Sequence, residues 1–211
     1  LLYSWILLTW TSNILEGSTE IPRLSKIYWA NWCLPTTFAS PNFSIREESN
    51  LLKDYTILKT RHYEEPKPRT DRPGVIDISF YGDPIMESLM LQKRFIMEKE
   101  TGLELLPTYT FWRFYTLLSD LPKHKDRPSC EISTTVNISS DGTPWPIYMD
   151  GTPINLEPGD AAVYLGCEVA HWREEFKGDW CSQVFMHYVD KNGPHKDWYK
   201  DKRVHYGLSC D

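Results

Sequence analysis

The sequence predicts a mainly β protein with flanking helices, built as a jelly roll. Several short runs after residue 107 are rich in β-branched and aromatic residues, and turns that contain Gly, Pro and Asp separate them. A single well-capped helix precedes these runs. Many short strands at this spacing are typical of a sandwich or barrel, and a helix packed outside it favours a jelly roll.

The chain of 211 residues suits one domain, or one domain with an added N-terminal segment. We predict a weakly patterned N-terminal extension over residues 1–74, which closes in the Pro- and Gly-containing stretch EEPKPRTDRPG. The jelly-roll core, including its outer helix, is predicted over residues 75–190. A polar, lysine-rich C-terminal tail over residues 191–211 is expected to be a solvated surface segment.

The predicted helix covers residues 83–101. Asp83 can cap its first turn, Pro84 suits its first position, and Gly102 ends the run. One line along the helix is expected to contain Ile85, Leu89, Gln92 and Ile96, with Met86 and Met90 beside it. The strands that follow are predicted in the runs TYTFWRFYTLL, CEISTTVNIS, WPIYM, AAVYLG and CSQVFMHYV.

Composition and charge limit the partners. The chain is 41% hydrophobic and 25% charged, as in ordinary soluble globular proteins. Its net charge of −6, without a face of interleaved basic and aromatic residues, argues against duplex nucleic acid. The apolar start LLYSWILLTW is too short to span a bilayer and has no basic residue before it, so no membrane partner is predicted. Five scattered cysteines without a Cys-x-x-Cys pair favour a reducing compartment, and we expect a cytoplasmic protein.

The tripeptide His-Lys-Asp occurs twice, as His124-Lys125-Asp126 and as His195-Lys196-Asp197. A histidine and an aspartate two residues apart on a strand project to the same face, where they can bind one metal ion. The second copy lies in a lysine-rich stretch without apolar alternation, and those lysines would repel a cation. The first copy lies between two predicted strands. We therefore predict a metal site at the first copy.

The predicted third ligand is His171, which follows the turn LEPGD and the strand AAVYLG. The stretch between Asp126 and His171 has room for about four strands, enough to return His171 beside His124. Two imidazoles and one carboxylate on one face of an octahedral ion suit non-haem Fe(II) and leave three positions open. If the strand stays regular, the residues that face outward form a solvated face: Lys123, Lys125 and Arg127.

The run PTYTFWRFY…HKDRPSCEIS…PGDAAVYLGCEVAHWREEF…QVFMHY resembles the Fe(II)- and 2-oxoglutarate-dependent dioxygenases, particularly the prolyl-hydroxylase-like branch, whose core is a double-stranded β-helix. The resemblance covers about residues 80–190. It implies that His124, Asp126 and His171 are the catalytic iron ligands and that Tyr115 lies against the 2-oxo acid.

The same resemblance implies Fe(II), 2-oxoglutarate as co-substrate and dioxygen, and it allows ascorbate as a reductant. The implied reaction hydroxylates an unactivated C–H bond of a peptidyl or small-molecule substrate, with release of succinate and CO₂.

The sequence departs from the family at the strand after His171, the second histidine of the predicted site. Family members usually place there a basic residue that pairs with the far carboxylate of 2-oxoglutarate, whereas this chain has Trp180, Cys181 and Gln183. Because a buried dianion without a cation is costly, another basic side chain must enter the barrel. The candidates are Arg113, which shares a strand face with Tyr115, and Arg173, which lies two residues after His171. Gln183 is a further candidate contact of the co-substrate.

Two other interpretations stay open. A jelly-roll metal- or ligand-binding module without turnover would need no basic residue on the last strand. A cupin-type isomerase or hydrolase would keep the metal and drop the co-substrate, although cupin sites more often take several histidines from one short motif. Fold alone does not decide between them.

Overall fold

The computed structural model describes residues 27–31, 45–62, 67–68 and 76–207, so the expectation about residues 1–10 lies outside the described residues. The helices are α1 (Ile45–Arg61) and α2 (Pro84–Thr101). The strands are β1 (Ile27–Asn31), β2 (Lys67–Pro68), β3 (Ile76–Tyr81), β4 (Leu105–Thr116), β5 (Leu121–His124), β6 (Ile132–Ser140), β7 (Ile147–Met149), β8 (Thr152–Ile154), β9 (Asp160–Leu165), β10 (His171–Arg173) and β11 (Trp180–Asp190). Two short 3₁₀ segments are Pro128–Cys130 and Lys196–Lys202.

The described strands form two sheets. The larger has the order β1-β9-β6-β11-β4-β3-β2 and the smaller has the order β5-β10-β7-β8. From β4 onward the chain passes repeatedly from one sheet to the other, and the pairings are antiparallel. This alternation is a double-stranded β-helix, so the predicted jelly roll is confirmed. Strands β6 to β9 are the four that the sequence places between the two histidines of the predicted metal site.

The helix α2 covers the outer face of the larger sheet. Met86, Met90 and Met97 are fully buried there and pack in one cluster with Trp112. Ile85 is 42% exposed, so the buried face of α2 is centred on the methionines rather than on the line of residues predicted from the sequence. Unbranched methionine side chains fill the irregular space between a helix and a twisted sheet, which explains why they form the contact.

The N-terminus of α2 depends on Asp83. Its Oδ1 accepts hydrogen bonds from the amides of Ile85 (3.0 Å) and Met86 (3.2 Å), and its Oδ2 accepts from Tyr55 and Lys59 of α1. Burial alone would raise the pKa of this carboxyl, but the bonds from Lys59 and Tyr55 outweigh it and hold the pKa below its ordinary value. One carboxylate therefore caps α2 and ties α1 to it.

We expect Asp83→Ala to lower the free energy of unfolding by about 1–2 kcal/mol at neutral pH, because a cap and an ion pair are lost together. Since the folded-state pKa is depressed, this contribution is full above the unfolded pKa and is lost as pH falls through the folded pKa. Denaturant titrations at pH 7 and below about pH 4 measure it. Asp83→Asn keeps the cap and should lose less, and an equal loss would contradict the capping role.

Segments outside the predicted core also pack on it. The strand β1 pairs with β9 in the larger sheet, and α1 lies against β6. At the other end, Asp201 is buried and Arg203 forms a buried ion pair with Glu87 of α2. The expectation of a solvated C-terminal surface segment is therefore wrong for these residues. The division at residues 74 and 190 stays a prediction. No described helix is long and apolar enough to cross a membrane.

Candidate metal centre

The structure brings His124, Asp126 and His171 together inside one end of the barrel. His124 ends β5, His171 begins β10, and the two are register partners with ring centroids 4.3 Å apart. The Oδ1 of Asp126 lies 3.5 Å from Nε2 of His124 and 3.6 Å from Nε2 of His171. One ligand atom from each of the three side chains lies within 4.8 Å of the other two. This is a donor set that can close on a single ion.

Both imidazoles are held in the tautomer that a metal ion requires. The Nδ1 of His124 lies 2.7 Å from the carbonyl oxygen of Pro122, and the Nδ1 of His171 lies 3.0 Å from that of Val169. A carbonyl oxygen only accepts, so each Nδ1 carries the proton and donates it. The Nε2 lone pairs therefore face Asp126, with their orientation fixed by the backbone.

The protonation states of Asp126 and His171 suit metal binding. Burial would raise the pKa of Asp126, but the favourable interaction with His124 in its protonated form and with the nearby histidines outweighs burial and lowers that pKa. The hydrogen bond that a protonated His124 would donate to Asp126 raises the pKa of His124, whereas burial lowers the pKa of His171. Asp126 is thus ionised and His171 neutral near pH 7, the forms in which both groups bind metals.

Asp126 lies in a turn rather than on a strand, because β5 ends at His124. The alternation of inward and outward side chains that the sequence predicts for this segment therefore applies only up to His124. Lys123 does lie on the outer side, with its Nζ 4.6 Å from the ring of Trp172. Arg127 also faces outward, with 44% of its side chain exposed, but its guanidinium donates to both carboxylate oxygens of Asp201 at 2.8 and 2.7 Å.

The segment that carries Asp126 packs closely against the backbone of Gly166. The amide of Asp126 donates to the carbonyl oxygen of Gly166 at 2.9 Å. A Cβ at Gly166 would lie 2.6 Å from Oδ2 of Asp126 and would collide with the carbonyl oxygen of Cys130. Only a residue without a side chain lets the two segments approach this closely.

We expect Gly166→Ala to displace the Asp126 carboxylate and to weaken divalent metal binding by at least about tenfold. Isothermal titration with Co²⁺ measures this effect. Gly102→Ala is the control, because a Cβ there contacts nothing within 4 Å while its φ of +70° makes the change destabilising. If both variants lost stability but bound Co²⁺ like the parent protein, the close approach at Gly166 would have no part in the site.

Arg173 is 3% exposed and extends into the barrel interior. Its guanidinium donates to the carbonyl oxygen of Trp145 and to Oε1 of Gln183 at 3.3 Å, and it lies 4.6 Å from the Trp145 ring. Its Nε has no hydrogen-bond partner, and no carboxylate of the described residues pairs with it. Burial lowers the pKa of this guanidinium. A buried cation without an acid is the arrangement expected of an anion site.

Arg113 and Tyr115 lie on β4 of the larger sheet and face the same interior. Arg113 is the register partner of Gln183 on β11, and its guanidinium lies 5.9 Å from the ring of Tyr115. It is close enough to His124 to act against protonation of that imidazole. Tyr115 is buried and packs edge-on against Trp145 at 4.8 Å. Gln183 therefore adjoins both candidate arginines.

The second His-Lys-Asp copy is not part of such a group. Asp197 is exposed, and the His/Cys/Asp/Glu groups of the described residues that could share a metal contain neither His195 nor Asp197. A further group does occur beside the first site, formed by Asp126, Cys130 and the buried His187. Nδ1 of His187 lies 2.8 Å from the hydroxyl oxygen of Ser133, which donates to the carbonyl oxygen of Cys130, so this nitrogen is hydrogen-bonded within the core.

The sequence reasoning missed Tyr164 and Gly166. Tyr164 is 1% exposed, its ring centroid lies 4.8 Å from that of His171, and its hydroxyl has no hydrogen-bond partner among the described residues. Alternation along AAVYLG could have placed Tyr164 on the inward face, because it shares parity with Ala162. Nothing in the sequence marks Gly166 as a contact of Asp126.

Fold and donor set together define a double-stranded β-helix protein with a candidate two-histidine, one-carboxylate centre. Solved structures with this fold include a Pseudomonas putida prolyl-4-hydroxylase, 17% identical over 78% of this chain and 92% of that chain, with a TM-score of 0.56. The viral collagen prolyl hydroxylase of Paramecium bursaria Chlorella virus 1 is 12% identical over 78% and 96%, with a TM-score of 0.53.

A third similar structure is the non-haem α-ketoglutarate-dependent epimerase SnoN of nogalamycin biosynthesis, 10% identical over 88% of this chain and 91% of that chain, with a TM-score of 0.58. The predicted resemblance in fold to 2-oxoglutarate and Fe(II) oxygenases is therefore confirmed. No protein-family model and no curated protein sequence matches the chain.

Proposed function

We propose that this protein is an Fe(II)- and 2-oxoglutarate-dependent dioxygenase that hydroxylates an unactivated C–H bond. The observation that carries the proposal is the convergence of two backbone-oriented Nε2 atoms and one ionised carboxylate at the mouth of a double-stranded β-helix. This nitrogen and oxygen donor set suits non-haem Fe(II) and leaves adjacent positions for other ligands. His124, Asp126 and His171 would hold the iron.

The barrel interior also fits a 2-oxo dicarboxylate. Arg173 would pair with the far carboxylate, because it is a buried guanidinium with one donor unused and no acid beside it. Gln183 and Arg113 would supply further donors from the adjoining strands, and Tyr115 would lie against the chain of the oxo acid. The role that the family usually gives to a basic residue on the last strand would thus pass to Arg173 on β10, the preceding strand in the chain.

When bound, iron, 2-oxoglutarate and dioxygen supply an oxidation that releases succinate and CO₂. The chain's own residues orient the reactants and exclude water. Trp145, Phe176 and Phe185 close the interior around Arg173 with an apolar wall. The side chain of His124 is 39% exposed while that of His171 is 3% exposed, so the site opens on the side of β5. Substrate would approach from there.

Peptidyl and small-molecule substrates both fit this proposal. Prolyl hydroxylases are among the similar structures, and so is EctD from S. alaskensis, whose structure holds 2-oxoglutarate and 5-hydroxyectoine. The cytoplasmic location and the absence of a nucleic-acid partner stay predictions. Ascorbate is proposed only as a reductant that restores Fe(II).

An anaerobic titration with Fe(II), with and without 2-oxoglutarate, tests the function. We expect a visible metal-to-ligand absorption band only when both are present, followed by succinate release on admitting air. Iron binding with no band and no succinate would exclude the oxygenase and favour the non-catalytic module, which the neutral Gln183 on the last strand would suit. A cupin-type enzyme would likewise bind metal and ignore 2-oxoglutarate.

A further inference from the structure

Arg127, the residue after Asp126, is bound by Asp201 of the C-terminal segment. Arg127 donates to both carboxylate oxygens of Asp201, at 2.8 and 2.7 Å, in a two-bond pair. The Asp201 side chain is 3% exposed, and it also accepts from the hydroxyl of Tyr81. Two parallel bonds fix both the position and the orientation of a guanidinium, unlike a single contact. The backbone next to the metal ligand therefore has an anchor about 75 residues away in the chain.

Two aromatic rings lie near the same guanidinium, whose side chain is 44% exposed. The Arg127 guanidinium lies 4.6 Å from the ring of Tyr109 and 5.8 Å from the ring of Trp198 in the C-terminal segment. Tyr109 in turn stacks on His187 at 4.6 Å, and its hydroxyl lies 3.1 Å from Sγ of Cys130. Tyr109 therefore connects Arg127 to two buried residues close to Asp126, His187 and Cys130.

The backbone around Asp201 is strained. Lys200, Asp201 and Lys202 have φ values of 54°, 54° and 63°, so three successive residues with side chains adopt the left-handed region. Such a turn persists only where the surrounding contacts over-determine it. On its C-terminal side those contacts come from Arg203, which pairs with buried Glu87 and donates to the carbonyl oxygen of Thr108 at 3.1 Å.

We propose that residues 195–207 act as a clamp on the metal centre, with Asp201 as a positioning residue that works through Arg127. The clamp restricts the turn between β5 and β6 and so keeps the Asp126 carboxylate facing the two Nε2 atoms. The main chain of Arg127 shares in this restriction, because its carbonyl oxygen accepts from the amide of Cys130 at 2.9 Å. This inference rests on the proposed metal centre.

The test compares Asp201→Asn with the parent protein as the full chain. Co²⁺ serves as the probe, its dissociation constant is measured by absorption titration, and thermal unfolding of the metal-free protein is followed in parallel. We expect Asp201→Asn to weaken Co²⁺ binding about tenfold, as loss of an outer contact to a ligand does. Hydrogen exchange of the Asp126 amide, which bonds to Gly166, should also become faster in the metal-free protein.

Arg127→Lys, which keeps the charge but loses the two-bond pair, should weaken Co²⁺ binding in the same direction. The matched control is Glu104→Gln, because Glu104 forms an exposed pair with Lys191 at 2.8 Å away from the site. If Asp201→Asn lowers only the unfolding temperature and binds Co²⁺ like the parent protein, the clamp is structural and the inference fails. If the parent protein does not bind Co²⁺, the proposed metal centre fails first and the clamp with it.

Discussion

Asp126→Ala is expected to abolish iron-dependent succinate formation and to lower Fe(II) affinity by more than the roughly 10–100-fold that loss of an outer contact costs. The carboxylate is the one anionic donor of the three, and its Oδ1 lies within 3.6 Å of both Nε2 atoms. Without it, two neutral imidazoles face a dication with no charge compensation. Anaerobic Fe(II) titration measures the affinity, and succinate release on admitting air measures turnover.

The second His-Lys-Asp copy provides the matched control. Asp197→Ala removes a carboxylate with the same local sequence, but from an exposed position outside the group. It should leave iron binding and succinate formation at the level of the parent protein. If Asp197→Ala abolished turnover while Asp126→Ala retained it, the assignment of the metal site to the first copy would be wrong.

Arg173→Met is expected to weaken 2-oxoglutarate binding while leaving Fe(II) affinity near that of the parent protein. Truncating one partner of a buried, hydrogen-bonded charge pair costs about 2 kcal/mol or more, which is roughly 30-fold in affinity. In the ligand-free protein, by contrast, Arg173 is a buried cation without an acid, and an apolar side chain of similar length removes its desolvation cost. The free energy of unfolding should therefore stay equal or rise.

This opposition of affinity and stability separates a co-substrate residue from a packing residue. Titration of the iron-loaded protein with 2-oxoglutarate gives the affinity, and denaturant unfolding without ligands gives the stability. Arg94→Met is the control, because Arg94 pairs with Glu98 on the exposed face of α2. If Arg173→Met instead lost stability and kept its affinity for 2-oxoglutarate, Arg173 would not be the partner of the dianion. Arg113→Ala would then be the remaining candidate to test.

The main helix and the principal strands could be predicted from the sequence because the patterns that mark them are local. The capping residue Asp83 and the ending residue Gly102 mark the helix α2 to within a residue. Alternating aromatic and β-branched residues similarly mark β4, β6, β9 and β11, the long strands of the larger sheet. The short strands β8 and β10 were not predicted, since three residues carry too little periodicity to be recognised.

The candidate site could be predicted only in part. His124 and His171 became neighbours in the structure because the four strands between them return the chain, which spacing suggests. The turn that carries Asp126 and the place of Gly166 against it follow from long-range contacts that leave no local pattern. The choice between Arg113 and Arg173 was open for the same reason, and the burial of Arg173 is the observation on which we propose it as the partner of the dianion.

The sequence by itself determined the fold class and the residue types of the proposed centre, because hydrophobic periodicity and the spacing of ligands are properties of the chain. The tertiary structure alone decided which donors are aligned, which arginine is buried without an acid, and that the C-terminal segment holds Arg127. Those features depend on contacts between residues far apart in sequence. Burial and electrostatic compensation become defined only when both sheets and the segments around them are in place.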